Sequence, residues 1–369
     1  MKILFVAPVD GNGGIQSWTR NFIATFPDEG HQIVHVRMQS RRATAKKSDT
    51  FHRAWDGILD LLEARTNVLK ALKQNPEISI AHITTSGSFG TLRDYLLGRV
   101  CQKHNAKIIL HCHYGCIPEN YAAKGFWGWL LRVTMRRYDN IWVLNSKSEE
   151  ALKEDRKLRG KVFLTPNSIS VEEDVDLRPK NYTRIAFVGN LVPEKGLSEL
   201  IEATKKLDNV RLDIVGPGTP GLIGRVEESA GDLLDKRIFF QGFLPYDEAV
   251  KFMRTVDFVA LPTYYPLEAF PISILEAMSL TKMVISSNRA AIPVMLTAVD
   301  GSKCGMLVRE RSVEDIIDAV KWCQEHKTEA DVMCRKAYEK VKTCYDTSVI
   351  YDLYRSLYDS LACCGPTVY

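Results

Sequence analysis

The stretch Leu267-Glu-Ala-Phe-Pro-Ile-Ser-Ile-Leu-Glu-Ala-Met278 sets two glutamates, Glu268 and Glu276, on either side of a proline. Pro271 suits the first turn of a helix, where a missing N–H costs nothing. Ile274, Leu275 and Met278 then give an apolar face at helical spacing. The pattern predicts Glu268 in the loop feeding a helix and Glu276 roughly 7–8 Å along it, at about 1.5 Å per residue. N–H groups at a helix start have no intrahelical acceptor and attract phosphate. Two carboxylates flanking an anion site suit a ligand with hydroxyls on both sides of a phosphate, such as a nucleotide-sugar. The competing reading is a solvated loop glutamate followed by an ordinary helix former.

Around this stretch, short β-branched runs alternate with longer amphipathic segments, the pattern of parallel strands joined by crossover helices. Strands are predicted at 2–7, 32–37, 78–84, 107–111, 141–144 and 162–165, then at 184–188, 211–215, 238–241, 258–261, 283–286 and 305–308. The polar stretch 168–182, which contains Pro179, lacks periodicity and reads as a linker. The fold class is α/β, with two doubly wound Rossmann-like domains. Residues 1–175 would form the first, joined by a C-terminal helix over 347–369, and 176–346 the second. Ile350, Leu353, Tyr354, Leu357, Tyr358 and Leu361 make one apolar stripe on that last helix. Such sheets bind ligands at the carboxyl ends of their strands.

A length of 369 residues suits two domains, each with its own core. A net charge of +4 argues against a dedicated nucleic-acid binder. Nine cysteines without a framework fit a reducing compartment better than a disulfide scaffold. The opening apolar run is too short for a signal peptide, and no stretch reaches about 18 apolar residues. Localisation is expected to be cytoplasmic, with the inner face of the membrane as the open alternative.

Several motifs carry chemistry. In Asp10-Gly-Asn-Gly-Gly-Ile-Gln-Ser17, glycines after the first strand let the backbone approach a phosphate or sugar; a tight strand-to-helix turn is the alternative. Gly216-Pro-Gly-Thr-Pro-Gly221 fits the dinucleotide spacing, but Gln241 stands where an acid should hold a ribose, so a nicotinamide site is not expected. In Ile109-Leu-His-Cys-His-Tyr-Gly-Cys116, strand alternation sends Cys112 away from His111 and His113, which argues against a closed metal site. His111 reads as a buried, satisfied histidine. Asp174-Val-Asp176 has a metal-diphosphate spacing but lies in the linker, and no metal is expected. Residues 121–138 interleave aromatics with cations, which suits a membrane interface or an ordinary helix with a solvated basic face. Arg41, Arg42, Lys46 and Lys47 form a second basic patch.

The glutamate pair resembles the Glu-x7-Glu motif of retaining GT-B glycosyltransferases of family 4, with Ala269 at a usual glycine. Phe187-Val-Gly-Asn-Leu-Val-Pro-Glu-Lys-Gly196 resembles the same family's segment, with Asn190 at its usual arginine. The resemblance implies a transferase that moves a sugar from a nucleotide-diphosphate sugar to an acceptor hydroxyl with retention. Polysaccharide or glycolipid synthesis is the family-level setting, and neither metal nor cofactor is needed. It implies Lys195 on the donor diphosphate and Glu276 on the ribose. Glu268, His113 and the backbone at Phe270, Pro271 and Ile272 would hold the sugar. Asn190 occupies the position of a donor-site cation, for which Arg289 is the candidate substitute. Gly-Gly-Ile-Gln resembles the Gly-Gly-Val-Gln of mannosyltransferases acting on phosphatidylinositol, which implies Gly14 at the diphosphate and Gln16 at the acceptor. The expected partners are a nucleotide-sugar donor and a carbohydrate or lipid-linked acceptor, with peripheral membrane contact as the open alternative and no nucleic acid. A GT-B nucleotide-sugar epimerase and a non-catalytic sugar-nucleotide-binding protein remain the alternatives.

Overall fold

A computed structural model of the chain describes residues 1–11, 13–28, 30–38, 50–87 and 90–363. The basic patch at 41–47 lies outside the described residues. The chain divides into two compact units, the first made of Met1–Pro166 and Tyr351–Tyr369, the second of Asn167–Ile350.

In the first unit, β1 (Lys2–Ala7), β2 (Gln32–Arg37), β3 (Ile78–Thr85), β4 (Lys107–Cys112), β5 (Asn140–Val143) and β6 (Val162–Leu164) form a sheet in the order β2-β1-β3-β4-β5-β6. Every pairing is parallel. Its helices are α1 (Gly14–Thr25), α2 (Thr50–Gln74), α3 (Gly90–Lys103), α4 (Ile117–Ala122), α5 (Phe126–Arg137) and α6 (Ser146–Lys153). Burial on both faces of a parallel sheet explains the nearly unbroken apolar run of β1, and β3 is likewise buried along most of its length.

The second unit holds β7 (Arg184–Val188), α7 (Leu197–Lys205), β8 (Arg211–Val215), α8 (Pro220–Ala230), β9 (Ile238–Gly242) and α9 (Tyr246–Met253). It continues with β10 (Phe258–Leu261), α10 (Ile272–Ser279), β11 (Met283–Ser287), α11 (Ile292–Met295), β12 (Met306–Val308), α12 (Val313–Glu325) and α13 (Lys327–Cys344). Its parallel sheet runs β12-β11-β10-β7-β8-β9. All the strands predicted from sequence are present, and where ends differ they do so by one residue. The two doubly wound Rossmann-like sheets are therefore as expected.

The last helix, α14 (Thr347–Cys363), begins in the second unit and from Tyr351 onward belongs to the first. Its buried stripe includes Tyr351, Tyr354, Tyr358 and Leu361, while Leu353 is exposed. Tyr351 and Tyr354 pack their rings on Phe22 and Phe26 of the α1 segment, and Tyr354 also lies 4.8 Å from Trp142 between ring centroids.

Tyr358 meets a buried histidine pair. Its hydroxyl bonds His82 Nδ1, His82 Nε2 lies 3.1 Å from His111 Nδ1, and His111 Nε2 lies 3.5 Å from Thr165 Oγ1. The Thr165 hydroxyl donates to the Val143 carbonyl at 3.4 Å. One assignment satisfies every group: each donor points from Tyr358 through His82 and His111 to Thr165, with both imidazoles neutral. Burial pushes both histidines well below their ordinary range, in agreement. Replacing Tyr358 with Phe leaves His82 Nδ1 buried without a donor. The expected loss is about 1–3 kcal/mol of stability, read by denaturant unfolding; an unchanged midpoint would refute the assignment.

Candidate active site

Within the second unit the strand order reverses at β7, with β8 on one side and β10 on the other. Ligands of open α/β sheets bind at the carboxyl ends of strands at such a switch point. Lys195 and Glu268 come from the two loops that straddle it. Lys195 closes a 3₁₀ turn, Pro193–Lys195, after β7. Its Nζ stands 3.3 Å from Glu268 Oε2, and the two side chains are only 17% and 10% exposed. Thr263 Oγ1 reaches the same carboxylate oxygen at 3.5 Å. The loops are also tied through the backbone, since Tyr264 N–H donates to the Glu194 carbonyl at 2.7 Å.

Glycines allow this convergence. Gly196 has φ 77°, and a Cβ there would stand 2.2 Å from the Pro262 carbonyl oxygen. At Gly216, φ 147°, it would stand 1.8 Å from that of Gly189. Residues without a side chain are what let the loops after β7, β8 and β10 touch. The Gly216–Gly221 loop thus packs against the loop after β7 beside the site.

The helix after Glu268 starts one residue later than the sequence suggests. Pro271 is the N-cap of α10, with φ −69° and ψ 120°, and Ile272 is its first residue. Proline's fixed φ suits either position; the extended ψ places it outside the helix, where its carbonyl accepts the Ile274 N–H at 3.2 Å. No side chain caps this start. Phe270 packs its ring 5.2 Å from Tyr345, and its carbonyl accepts from Asn167 Nδ2 at 2.8 Å. Ile272 is half-buried.

Glu276 lies on the second turn of α10, 9% exposed. Burial pushes its carboxyl up to about 7, opposed by the nearby Tyr246 hydroxyl at the start of α9. Partial desolvation, and then the nearby Glu276 carboxyl, hold the Tyr246 phenol above its ordinary range. Glu268 and Glu276 therefore sit in different surroundings, one beside a cation and one without. Asn190 is exposed, and Arg289, beyond β11, is engaged with Glu310 at 2.9 Å.

In the first unit, Gly14 opens α1, and the position its Cβ would take is clear of neighbours. Gln16 folds back on Gly13, where a Cβ would crowd its amide oxygen, and that oxygen is buried without a hydrogen-bond partner. Arg20 braces the turn by donating to the carbonyls of Val9 and Gly11 at 2.7 and 3.0 Å. His113 follows β4, with its ring 4.1 Å from that of His111 and 4.5 Å from that of Trp18. Its Nε2 is buried without a partner, and burial pushes it down to about 3, so the ring is neutral. A neutral imidazole with an open nitrogen can hydrogen-bond a hydroxyl. Cys112 is fully buried, and among the described residues no group of three or more His, Cys, Asp or Glu could hold a metal ion.

The sequence reading missed Asn167, Thr263, Tyr246 and Trp18. Asn167 adjoins the polar stretch 168–182, and a lone asparagine after a proline carries no site signal. Trp18 lies one turn after Gly14, a signal that could have linked it to the glycine turn. Thr263 and Tyr246 carried no signal, because only the folded loops bring them to the two glutamates.

Residues 169–340 match the family model of glycosyl transferases group 1. That stretch, just under half of the chain, is similar to the glycosyl transferases group 1 domain. The D-inositol 3-phosphate glycosyltransferase of Mycobacteroides abscessus is 31% identical over 163 residues, 43% of this chain and 35% of that protein. The chain thus spans about a third of the length of this curated relative. Among solved structures, sucrose-phosphate synthase from Thermosynechococcus elongatus has a TM-score of 0.73 at 15% identity, covering 97% of this chain and 99% of its own. Anabaena HepE in complex with UDP-glucose has a TM-score of 0.71 at 15% identity, over 98% of this chain and 100% of its own. At such identities these structures speak for the fold.

Proposed function

We propose that the protein is a metal-independent, retaining glycosyltransferase of family 4 that uses a nucleotide-diphosphate sugar. The observation that carries the reading is the Lys195–Glu268 pair at the switch point, next to the uncapped start of α10 with Glu276 one turn further on. In this reading Lys195 and the helix start take the diphosphate, and Glu276 takes the ribose hydroxyls. Glu268 and the backbone at Phe270–Ile272 hold the sugar, and His113 contributes a hydrogen bond to it. Gly14 meets the diphosphate and Gln16 the acceptor, a carbohydrate or lipid-linked hydroxyl in polysaccharide or glycolipid synthesis. The diphosphate leaves with its charge met by Lys195 and backbone N–H groups, which is a main source of catalysis in group transfer. Retention and the residue roles rest on the motif resemblance. The domain match and the UDP-glucose complex of the HepE neighbour support the donor class.

A thermal-shift screen of UDP-, GDP- and ADP-sugars tests the reading, since a tight ligand raises apparent stability by mass action. One donor series is expected to raise the midpoint, and the same donor should be consumed with a new glycosidic bond of unchanged anomeric configuration when acceptor is supplied. No shift with any of these donors would refute the donor assignment, and inversion would refute retention.

A further inference from the structure

We propose that the α4–α5 knuckle of the first unit docks the protein on an anionic lipid surface. An ordinary amphipathic helix buries its aromatic residues, and α5 does the opposite. Its buried side is Gly128, Leu130, Leu131, Thr134 and Met135, while Phe126, Trp127 and Trp129 are 59%, 47% and 53% exposed. The three rings gather at the surface, with Phe126 centred 5.3 Å from Trp127 and 5.9 Å from Trp129. Outward along the helix, Phe126, Trp129, Val133 and Arg136 follow one another at spacings of three and four, so the solvent face is aromatic at its start and ends at the Arg136–Asp155 pair.

The turn that projects these rings is built rigidly. Gly125, with φ 92°, caps α5, and a Cβ on Gly128 would stand 2.0 Å from the Ala123 carbonyl oxygen. Arg132 clamps the same turn by donating to the carbonyls of Tyr121 and Ala123 at 2.6 and 3.0 Å. A preformed knuckle loses little entropy when it inserts.

Charge selects the partner. Residues 90–137, which contain α3, α4 and α5, hold eight lysines and arginines against two acids, whereas the whole chain is only +4. Of the acids, Asp94 is buried against Arg93, which leaves Glu119 as the exposed one. Arg136 is paired with Asp155 at 2.8 Å; Arg99, Lys103 and Lys124 are exposed. Aromatics at the headgroup level beside basic residues are the chemistry of an interfacial anchor on an anionic leaflet. No helix among the described residues is long and apolar enough to cross a membrane, so the contact is peripheral.

The test is co-sedimentation of the full chain with vesicles of phosphatidylcholine alone and of phosphatidylcholine mixed with phosphatidylglycerol, at low and high salt. The expected result is binding to the mixed vesicles, weakened by salt, with a blue shift of tryptophan emission. The variant Phe126→Ser/Trp127→Ser/Trp129→Ser is expected to lose more than about tenfold in partitioning, and Arg99→Glu/Lys103→Glu/Lys124→Glu to lose the preference for phosphatidylglycerol. Both alter exposed residues, and unchanged thermal unfolding shows that the loss is not misfolding. No sedimentation of the parent protein, equal binding to both vesicles, or full binding by the serine variant would each overturn the proposal. So would self-association without vesicles that the serine variant abolishes, because the occupant would then be a second copy of this chain.

Discussion

Lys195→Ala is expected to reduce the rate of sugar transfer by about 10²–10³-fold, the scale set by removing one charge-stabilising group from a transition state. Lys195 is the cation at the switch point, held 3.3 Å from Glu268 in a largely buried setting. Asn190, at the position of the resembling family's arginine, brings no second charge, and Arg289 is held by Glu310. In the proposed reading Lys195 is the cation that the second unit offers the leaving diphosphate among the described residues. The loss should fall on kcat as well as on donor KM, because charge on the diphosphate is greatest as the glycosidic bond breaks. Removing Lys195 also strips Glu268 of its cation, so Lys195→Arg serves as the control: it keeps the charge and should recover part of the rate. Steady-state kinetics on the three proteins decide the matter. A change of only a few-fold in Lys195→Ala would remove Lys195 from the diphosphate site.

Glu276→Gln is expected to weaken donor binding by about ten- to a hundred-fold, the range for a hydrogen bond to a charged group, and to erase a pH dependence of the parent protein. The Glu276 carboxyl has its proton up to about pH 7 in the fold but loses it near 4.5 in the unfolded chain. Its contribution to stability is therefore fully present below about pH 4.5, falls as pH rises to about 7, and is flat above. Donor binding has the opposite slope, because ribose hydroxyls donate to the carboxylate and favour the ionised form. Affinity should climb as pH rises toward about 7 and level off above it. Calorimetric titration of the donor at several pH values, with Gln as the reference, reads both effects. A parent protein with flat donor affinity across that range would sink the ribose assignment.

The architecture was legible because parallel strands buried on both faces leave compact apolar runs, such as 2–7 and 184–188, whose limits match the strands observed. The site was legible in parts. Glu268 and Glu276 announced themselves by spacing around a helix start, and only the family likeness joined Lys195 to them. Pro271 was misplaced by one residue, because φ is locked by its ring but ψ is not. Residues 121–138 were ambiguous, since spacing cannot say which side of a helix faces the sheet.

The sequence by itself determined two α/β units, the glutamate-flanked helix start and the uneven charge of residues 90–137, all consequences of local pattern and composition. Only the tertiary structure decided that Lys195 meets Glu268, that the Tyr246 hydroxyl comes near Glu276, and that Tyr358 completes a buried histidine chain. It also decided that three aromatic rings on α5 face outward. The physical reason is common to all four. Burial, and the pKa and hydrogen bonds that follow from it, depend on which distant loops and helices pack together, and period and propensity carry no record of that.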